Sequence, residues 1–440
     1  MNCSEYDSGY DYGLNATRNA VSDIVFLIQT CCILLWEYLL YAMGRPIDNC
    51  VKNVSRKLGN INMFYVKVFQ GISTNSQLLS NEQIKFLSSY TDNVPFGAKD
   101  IDLQFRSAIA NVNREKEEKL IIPQYALPIK SGMIALIYEG YIGKQKVIIK
   151  VARKNIRNRL LNALRQIDML VYLFAFIMNQ KSLNIEDIIS ENKDLMMLQT
   201  DFVNEMNNIV SIREKYKNID TIVIPRPYKE YTHAYQHIIV MDYLEGNNVM
   251  EVAQQDKATY AKQLGNFSLK GVLFDRIIHA DLHPGNVIFM KTPDNKCQLG
   301  IIDFGVMVTI TKQQQKDFYD FAYAFIVDKN TTKAFEIIVN AFIEPIAGHQ
   351  EMQKRDFIEE IGNIIETALT QNITFTTSDI YLINKILYSH GYRLTKSFCK
   401  IEMALAIADS VCKQLNGENN YIDNILDAAS KILTPDICAF

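Results

Sequence analysis

Apolar residues run almost unbroken from Ile24 to Met43, interrupted by Gln29, Thr30 and Glu37. That is about the length needed to cross a bilayer as a helix. Glu37, in the C-terminal third of the run, would be costly in lipid, which favours a buried or interfacial helix. If the run spans, Arg45, Lys52, Arg56 and Lys57 just after it place the bulk of the protein on the cytoplasmic side. The chain is therefore expected to be cytoplasmic, or membrane-associated through residues 24–43. Residues 1–20 are polar and expected to be loosely ordered. They lack the basic start of a signal peptide. Val51 to Gln70 repeats apolar positions at helical spacing, and Ser80 can cap a further amphipathic helix opening at Asn81-Glu82-Gln83.

From residue 128 to 152 the pattern changes to three short strands, with turns marked by Gly132, Gly140 and Gly143 and a β-rich run Val147-Ile148-Ile149-Lys150-Val151. Asn155 to Asn179 returns to helical spacing and predicts an inserted helical pair. Ile238 to Gly246 reads as a strand ending at a glycine, and Gly300 to Asp303 as another. Thr311 caps a helix, and the chain from there to 440 is helical, with breaks at 328–330, Gly348 and Gly391. The isolated His349 and His390 fit surface or capping positions. The fold class is α+β.

Composition narrows the picture modestly. With 440 residues, 48% hydrophobic and 22% charged, the chain can bury a sizeable core in one large domain or in two to three. A formal charge of −3 gives no case for nucleic-acid binding. Eight cysteines without a CxxC pair form neither a zinc signature nor a disulfide framework, which suits a reducing compartment.

The chemistry sits in His279-Ala280-Asp281-Leu282-His283-Pro284-Gly285-Asn286, followed by Ile302-Asp303-Phe304-Gly305. An Asp and an Asn five residues apart, then a second Asp after an apolar strand, is how kinase-like folds hold Mg·ATP. Asp281 would stand beside the acceptor hydroxyl, and Asn286 and Asp303 would bind Mg2+, which takes few protein ligands and several phosphate oxygens. Lys150, inside an apolar strand, matches the lysine that pairs with the α- and β-phosphates. A buried ammonium needs a partner, and Glu205 is the candidate. Met241 would lie near the adenine pocket, with the backbone at Tyr243 and Leu244 meeting the base.

The octapeptide with IDFG closely resembles the UbiB-type (activity-of-bc1-complex) atypical kinase-like family, and more loosely the aminoglycoside and choline phosphotransferases. Ordinary protein kinases carry an Arg where Ala280 stands. The resemblance runs from about Asn53 to about Asp328. It implies a bilobal protein-kinase-like fold with a helical N-terminal extension at 21–110, an N-lobe with a helical insertion at 120–245, and a helical C-lobe at 246–440.

The family's Lys-x-Gly-Gln motif, which packs over the nucleotide site, corresponds to Lys67-Val68-Phe69-Gln70, followed by Ser73-Thr74 and by Asp92-Asn93-Val94-Pro95. Lys67 and Gln70 are thereby nucleotide-site candidates. Phe69 replaces the glycine and removes a place of close backbone approach. The family's acidic motif is matched by Asp201, Glu205 and Asn208, with Gln199 in place of its first Glu. Its Ala-rich phosphate turn aligns with Ile129 to Ile134, making Ser131 and Gly132 candidate phosphate contacts; a plain β-turn is an equal reading. No Ala-Pro-Glu activation segment follows the DFG, which argues against protein substrates.

The expected activity is Mg-dependent ATP binding, with hydrolysis or phosphoryl transfer to a small-molecule or lipid-like acceptor. The resemblance also implies a setting in isoprenoid-quinone or lipid metabolism and contact with a membrane surface. Two alternatives stand beside it: a nucleotide-binding scaffold without turnover, and a small-molecule phosphotransferase of the aminoglycoside/choline kind.

Overall fold

A computed structural model describes residues 8–62, 64–65, 94–178, 196–346, 386–415 and 429–430. Lys67, Gln70, Ser73, Thr74, Asp92, Asn93 and His349 lie outside the described residues, as do the expected helix after Ser80 and the break at Gly348.

The helices are α1 (Ser8–Ala42), α2 (Ile47–Ile61), α3 (Gln104–Asn113), α4 (Ile156–Met178), α5 (Phe202–Tyr216), α6 (Lys229–Ala234), α7 (Lys257–Lys270), α8 (Lys312–Ala322), α9 (Thr331–Phe342) and α10 (Lys396–Leu415). The strands are β1 (Leu120–Ile121), β2 (Lys130–Ser131), β3 (Ala135–Ile142), β4 (Gln145–Ala152), β5 (Ile222–Val223), β6 (Ile238–Asp242), β7 (Ile277–His279), β8 (Val287–Lys291), β9 (Cys297–Ile301), β10 (Met307–Thr309), β11 (Ile343–Pro345) and β12 (Tyr392–Leu394), the last two an antiparallel pair within the stretch expected to be helical. One sheet has the order β1-β3-β4-β6, with β2 also on β3; a second has the order β5-β9-β8; β7 and β10 form an antiparallel pair. The chain clusters into two compact units. One comprises residues 1–111, 122–139 and 149–200, and the other 112–121, 140–148 and 201–440.

In the first unit the helix expected at 24–43 begins at Ser8, well inside the segment expected to be loosely ordered. Helix extension costs little once a long apolar stretch has nucleated. Its inner stripe, Phe26, Thr30 and Glu37, is buried at helical spacing. Glu37 receives Lys57 Nζ at 2.7 Å and Arg45 Nη1 at 3.1 Å, both from the chain that folds back as α2. The Lys57 hydrogen bond, against the opposing effect of burial, holds the Glu37 carboxyl below the usual carboxylate range. Asp23 is gripped by both arms of Arg165 from α4, at 2.8 and 2.9 Å. The opposite face is exposed and apolar: Ile24, Ile28, Leu35, Trp36, Tyr38 and Met43 are 57–82% exposed. Val21–Ala42 is long and apolar enough to cross a membrane by length and composition. The helical pair expected at 155–179 is a single helix, α4, over its described length.

Strands β2, β3 and β4 are the three short strands read from the sequence, but Gly140, expected to mark a turn, lies inside β3. In the second unit, α5 is capped by the Asp201 carboxylate, which accepts the Asn204 N–H at 2.9 Å. Thr311 caps α8 through the Gln314 N–H, with the Gln314 side chain returning to the Thr311 N–H. The helix therefore follows β10 almost at once. His390 closes a helix end by bonding the Ile386 carbonyl at 2.8 Å.

Candidate active site

The site is built on three connections of the second unit. Helix α7 ends in a π-helical turn (Gly271–Asp275), and Arg276 in the left-handed region turns the chain into β7. Gly271 is required there: a Cβ would lie 2.6 Å from the Ile277 carbonyl oxygen. β7 delivers His279 to the loop 280–286, and β8 and β9 carry the chain to Asp303. β10 then pairs back on β7, with Met307 opposite His279. The register of β7 and β10 thus brings the two Asp-bearing loops side by side.

His279 fastens them together. It is 6% exposed. Its Nε2 lies 2.5 Å from the Asp303 carbonyl oxygen, and its Nδ1 accepts the Asp281 N–H at 3.2 Å. Since Nδ1 is an acceptor, the proton resides on Nε2 and the ring is neutral. Burial holds its pKa below the ordinary histidine value. Phe304, fully buried, packs edge-on against the ring with centroids 5.6 Å apart. His283 shapes the same loop, its Nδ1 accepting the Gly285 N–H at 3.0 Å.

Asn286 is buried, and its Nδ2 donates to the Asp281 carbonyl at 2.8 Å. That bond fixes the amide so that Oδ1, the atom able to bind a cation, is turned away from Asp281. Asp303 Oδ1 accepts the Gly305 N–H at 2.9 Å, which orients its carboxylate. The Ile302 N–H donates to the Asn286 carbonyl at 3.1 Å, so the two expected metal-binding residues are also tied through the backbone. One carboxylate and one amide oxygen suit Mg2+ completed by phosphate oxygens and water. Among the described residues no cluster of three or more His, Cys, Asp or Glu could hold a metal alone.

Helix α5 supports the second loop. Glu205 and Asn208, three residues apart, share one face. Asn208 Nδ2 donates to the Phe304 carbonyl at 3.0 Å, and Glu205 is buried. In the sequence Asn208 is only a motif match, because its contact with the DFG joins positions 96 residues apart.

The connection after β6 lies against β9. Met241 is buried in β6. The Tyr243 N–H is spent on the Lys146 carbonyl at 3.2 Å, and the Lys146 ammonium stands 4.2 Å over the Tyr243 ring. A Cβ on Gly300 would come within 2.8 Å of Leu244 Cδ1, so the glycine admits Leu244 against the strand leading to Asp303. Asp281, Asn286, Asp303, Glu205, Met241, Tyr243 and Leu244 all belong to the second unit.

Lys150 belongs to the first unit and is buried on β4. Ser131 and Gly132 are placed differently from a phosphate cradle. The Ser131 hydroxyl donates to the Val94 carbonyl at 2.6 Å, and the Gly132 N–H bonds the Ala135 carbonyl at 2.9 Å. Both donors are spent inside the protein, which is the plain-turn alternative.

Residues 111–338 match the ABC1 atypical kinase-like domain, which is more than half of the chain. The chain belongs to the ABC1 atypical kinase-like family. It is 22% identical over 379 residues to a "Probable protein kinase UbiB" of Shewanella sp. (strain W3-18-1), covering 79% of this chain and 66% of that protein. A protein of the same name from Aeromonas salmonicida is 23% identical over 354 residues, with 74% and 63% covered. The chain thus spans somewhat less than two thirds of these relatives' length. Among solved structures, the Mycobacterium tuberculosis Rv3197–erythromycin complex covers 76% of this chain and 87% of its own, with TM-score 0.47 and 16% identity. The Chaetomium thermophilum Rio2 kinase–ADP/Mg2+–phosphoaspartate complex covers 72% and 87%, with TM-score 0.31 and 13% identity. Membership of this family, with its mixed helices and antiparallel sheets, gives the chain a kinase-like α+β fold with a helical N-terminal region.

Proposed function

We propose that the chain binds Mg·ATP and either hydrolyses it or passes the phosphoryl group to a small or lipid-like acceptor. The observation that carries the reading is the neutral His279 bridge, which holds the Asp281 and Asp303 loops in one constellation with Asn286 turned to present an oxygen.

In this reading Asn286 Oδ1 and the Asp303 carboxylate hold Mg2+, which neutralises charge building on the phosphates. Asp281, its backbone fixed by His279, orients the acceptor hydroxyl or a water and accepts its proton. Lys150 pairs with phosphate and with Glu205. Lys67 and Gln70 act from the extension. Met241, Tyr243 and Leu244 border the base. The setting in isoprenoid-quinone or lipid metabolism comes from the family resemblance.

The test is ATP turnover by the wild type and by Asp281→Asn. Loss of a proton acceptor costs ~10²–10⁴-fold in rate, so a drop of that size in a folded variant supports the reading. Tight Mg·ATP binding with no turnover in the wild type would favour the scaffold alternative, for which Phe69 and Gln199 speak. Phosphorylation of aminoglycosides or choline would favour the third.

A specific observation also supports a membrane contact. From Val21 to Tyr41 the outer face of α1 is exposed and apolar, while Asp23 and Glu37 on its inner face are ion-paired to the same unit. A spanning helix would have to break those pairs, so the helix is proposed to lie along a lipid surface. Trp36, on the outer face, is the chain's single tryptophan and reports directly. Its emission should shift to shorter wavelength when phospholipid vesicles are added. Unchanged emission with the protein in the supernatant would sink the idea.

A further inference from the structure

Strand β4 continues one buried face beyond its end. Val147, Ile149 and Val151 point to one side by alternation, and Arg153, the next residue in phase, is buried with them. Its side chain is 0% exposed. The guanidinium donates to the Gly132 carbonyl from Nε at 3.0 Å and from Nη2 at 2.8 Å. It also reaches the Ser131 hydroxyl at 2.8 Å, the Val94 carbonyl at 3.2 Å and the Pro95 carbonyl at 3.3 Å. Asp100 supplies the counter-charge at 3.3 Å, and is itself held by Arg159 at 2.6 Å and by the Gly97 N–H at 2.9 Å. Val94 and Ser131 close the arrangement by bonding in both directions, N–H to carbonyl at 2.8 Å and hydroxyl to carbonyl at 2.6 Å. The Arg153 N–H itself donates to the Ile134 carbonyl at 2.9 Å.

One planar fork therefore ties three pieces of the first unit: the stretch Val94–Asp100, the turn between β2 and β3, and the end of the strand that carries Lys150. Burying a charged pair is a poor route to stability, because an apolar replacement of similar size often folds as well. What a fully engaged guanidinium adds is one fixed geometry.

We propose that Arg153, braced by Asp100, is a positioning residue for nucleotide binding. By clasping the end of β4 it holds the strand that carries Lys150, and so decides how firmly the phosphates, rather than the base, are held. This rests on the nucleotide reading above. Arg153 does not touch the nucleotide; it acts through the strand end three residues beyond Lys150.

The test compares affinity for Mg·ATP and for adenosine in the full chain. The proteins are wild type, Arg153→Met, and Arg153→Met with Asp100→Asn, which removes both buried charges. The expected result is Mg·ATP binding weakened at least ~10-fold while adenosine affinity stays within about twofold of wild type. A merely structural role would weaken both ligands together. Equal losses, no loss of either, or failure of both variants to fold would each overturn the proposal. A wild type that binds neither ligand would instead remove the nucleotide reading itself, and this proposal with it.

Discussion

Replacing His279 by Phe tests the bridge between the two Asp loops. The ring keeps nearly its volume, so no large cavity opens, and the contacts to Phe304 and Phe267 are retained in kind. What is lost is a pair of hydrogen bonds at a buried position, to the Asp303 carbonyl at 2.5 Å and from the Asp281 N–H at 3.2 Å. A buried backbone group left without its partner costs ~1–3 kcal/mol. Two of them, one with a longer bond, give a loss of roughly 2–4 kcal/mol. That corresponds to a fall in melting temperature of about 5–10 °C. Urea denaturation and scanning calorimetry of wild type and variant measure it. The variant should also lose nucleotide-induced stabilisation, because Asp281 and Asp303 no longer share a fixed frame. A loss below ~0.5 kcal/mol, within the range of ordinary surface substitutions, with nucleotide response intact, would refute the bridging role.

Asn208→Ala should cost about 1 kcal/mol through the bond to the Phe304 carbonyl, read by the same melts, and should weaken Mg·ATP binding more than adenosine binding. Gly271→Ala should destabilise by ~1–3 kcal/mol, since its new Cβ meets the Ile277 backbone oxygen, which has little room to yield at the start of β7. Glu37→Gln should be less stable than wild type at neutral pH. The Glu37 carboxyl titrates below its unfolded value of about 4.3. Its contribution is therefore complete above that pH and lost as pH falls through the folded value. Urea melts should show the gap between Gln variant and wild type closing only in acid; a gap constant from pH 7 to pH 3 would contradict the ion pairs seen with Lys57 and Arg45.

The parts of the site that were legible in the sequence are those made by neighbours in the chain. HADLHPGN and IDFG carry their own spacing, and the antiparallel pair β8–β9 between them returns the chain from Asn286 to Asp303. The three strands of 128–152 were legible because turn glycines and alternating apolar residues are local signals. Contacts between distant segments were hidden. Arg153 meets Val94 across 59 positions, and nothing in Val94-Pro95 announces a partner. One signal was present: Arg153 stands in phase with Val147, Ile149 and Val151, and a charge on a buried face must find counter-groups. The hydroxyl of Ser131 looked available from the sequence and is spent on that same clasp. Glu37 looked costly because its partners Arg45 and Lys57 sit beyond a turn and on the next helix.

The most direct measurement is thermal stability with and without Mg·ATP, on wild type and on Asp303→Ala. At about a hundred times Kd a ligand adds ~2.7 kcal/mol to the folded state. The account predicts that increment, as a clear rise in melting temperature, for the wild type and its loss in Asp303→Ala. A folded wild type that shows no rise, or an equal rise in both proteins, would contradict the assignment of Asp303 to a magnesium–nucleotide site.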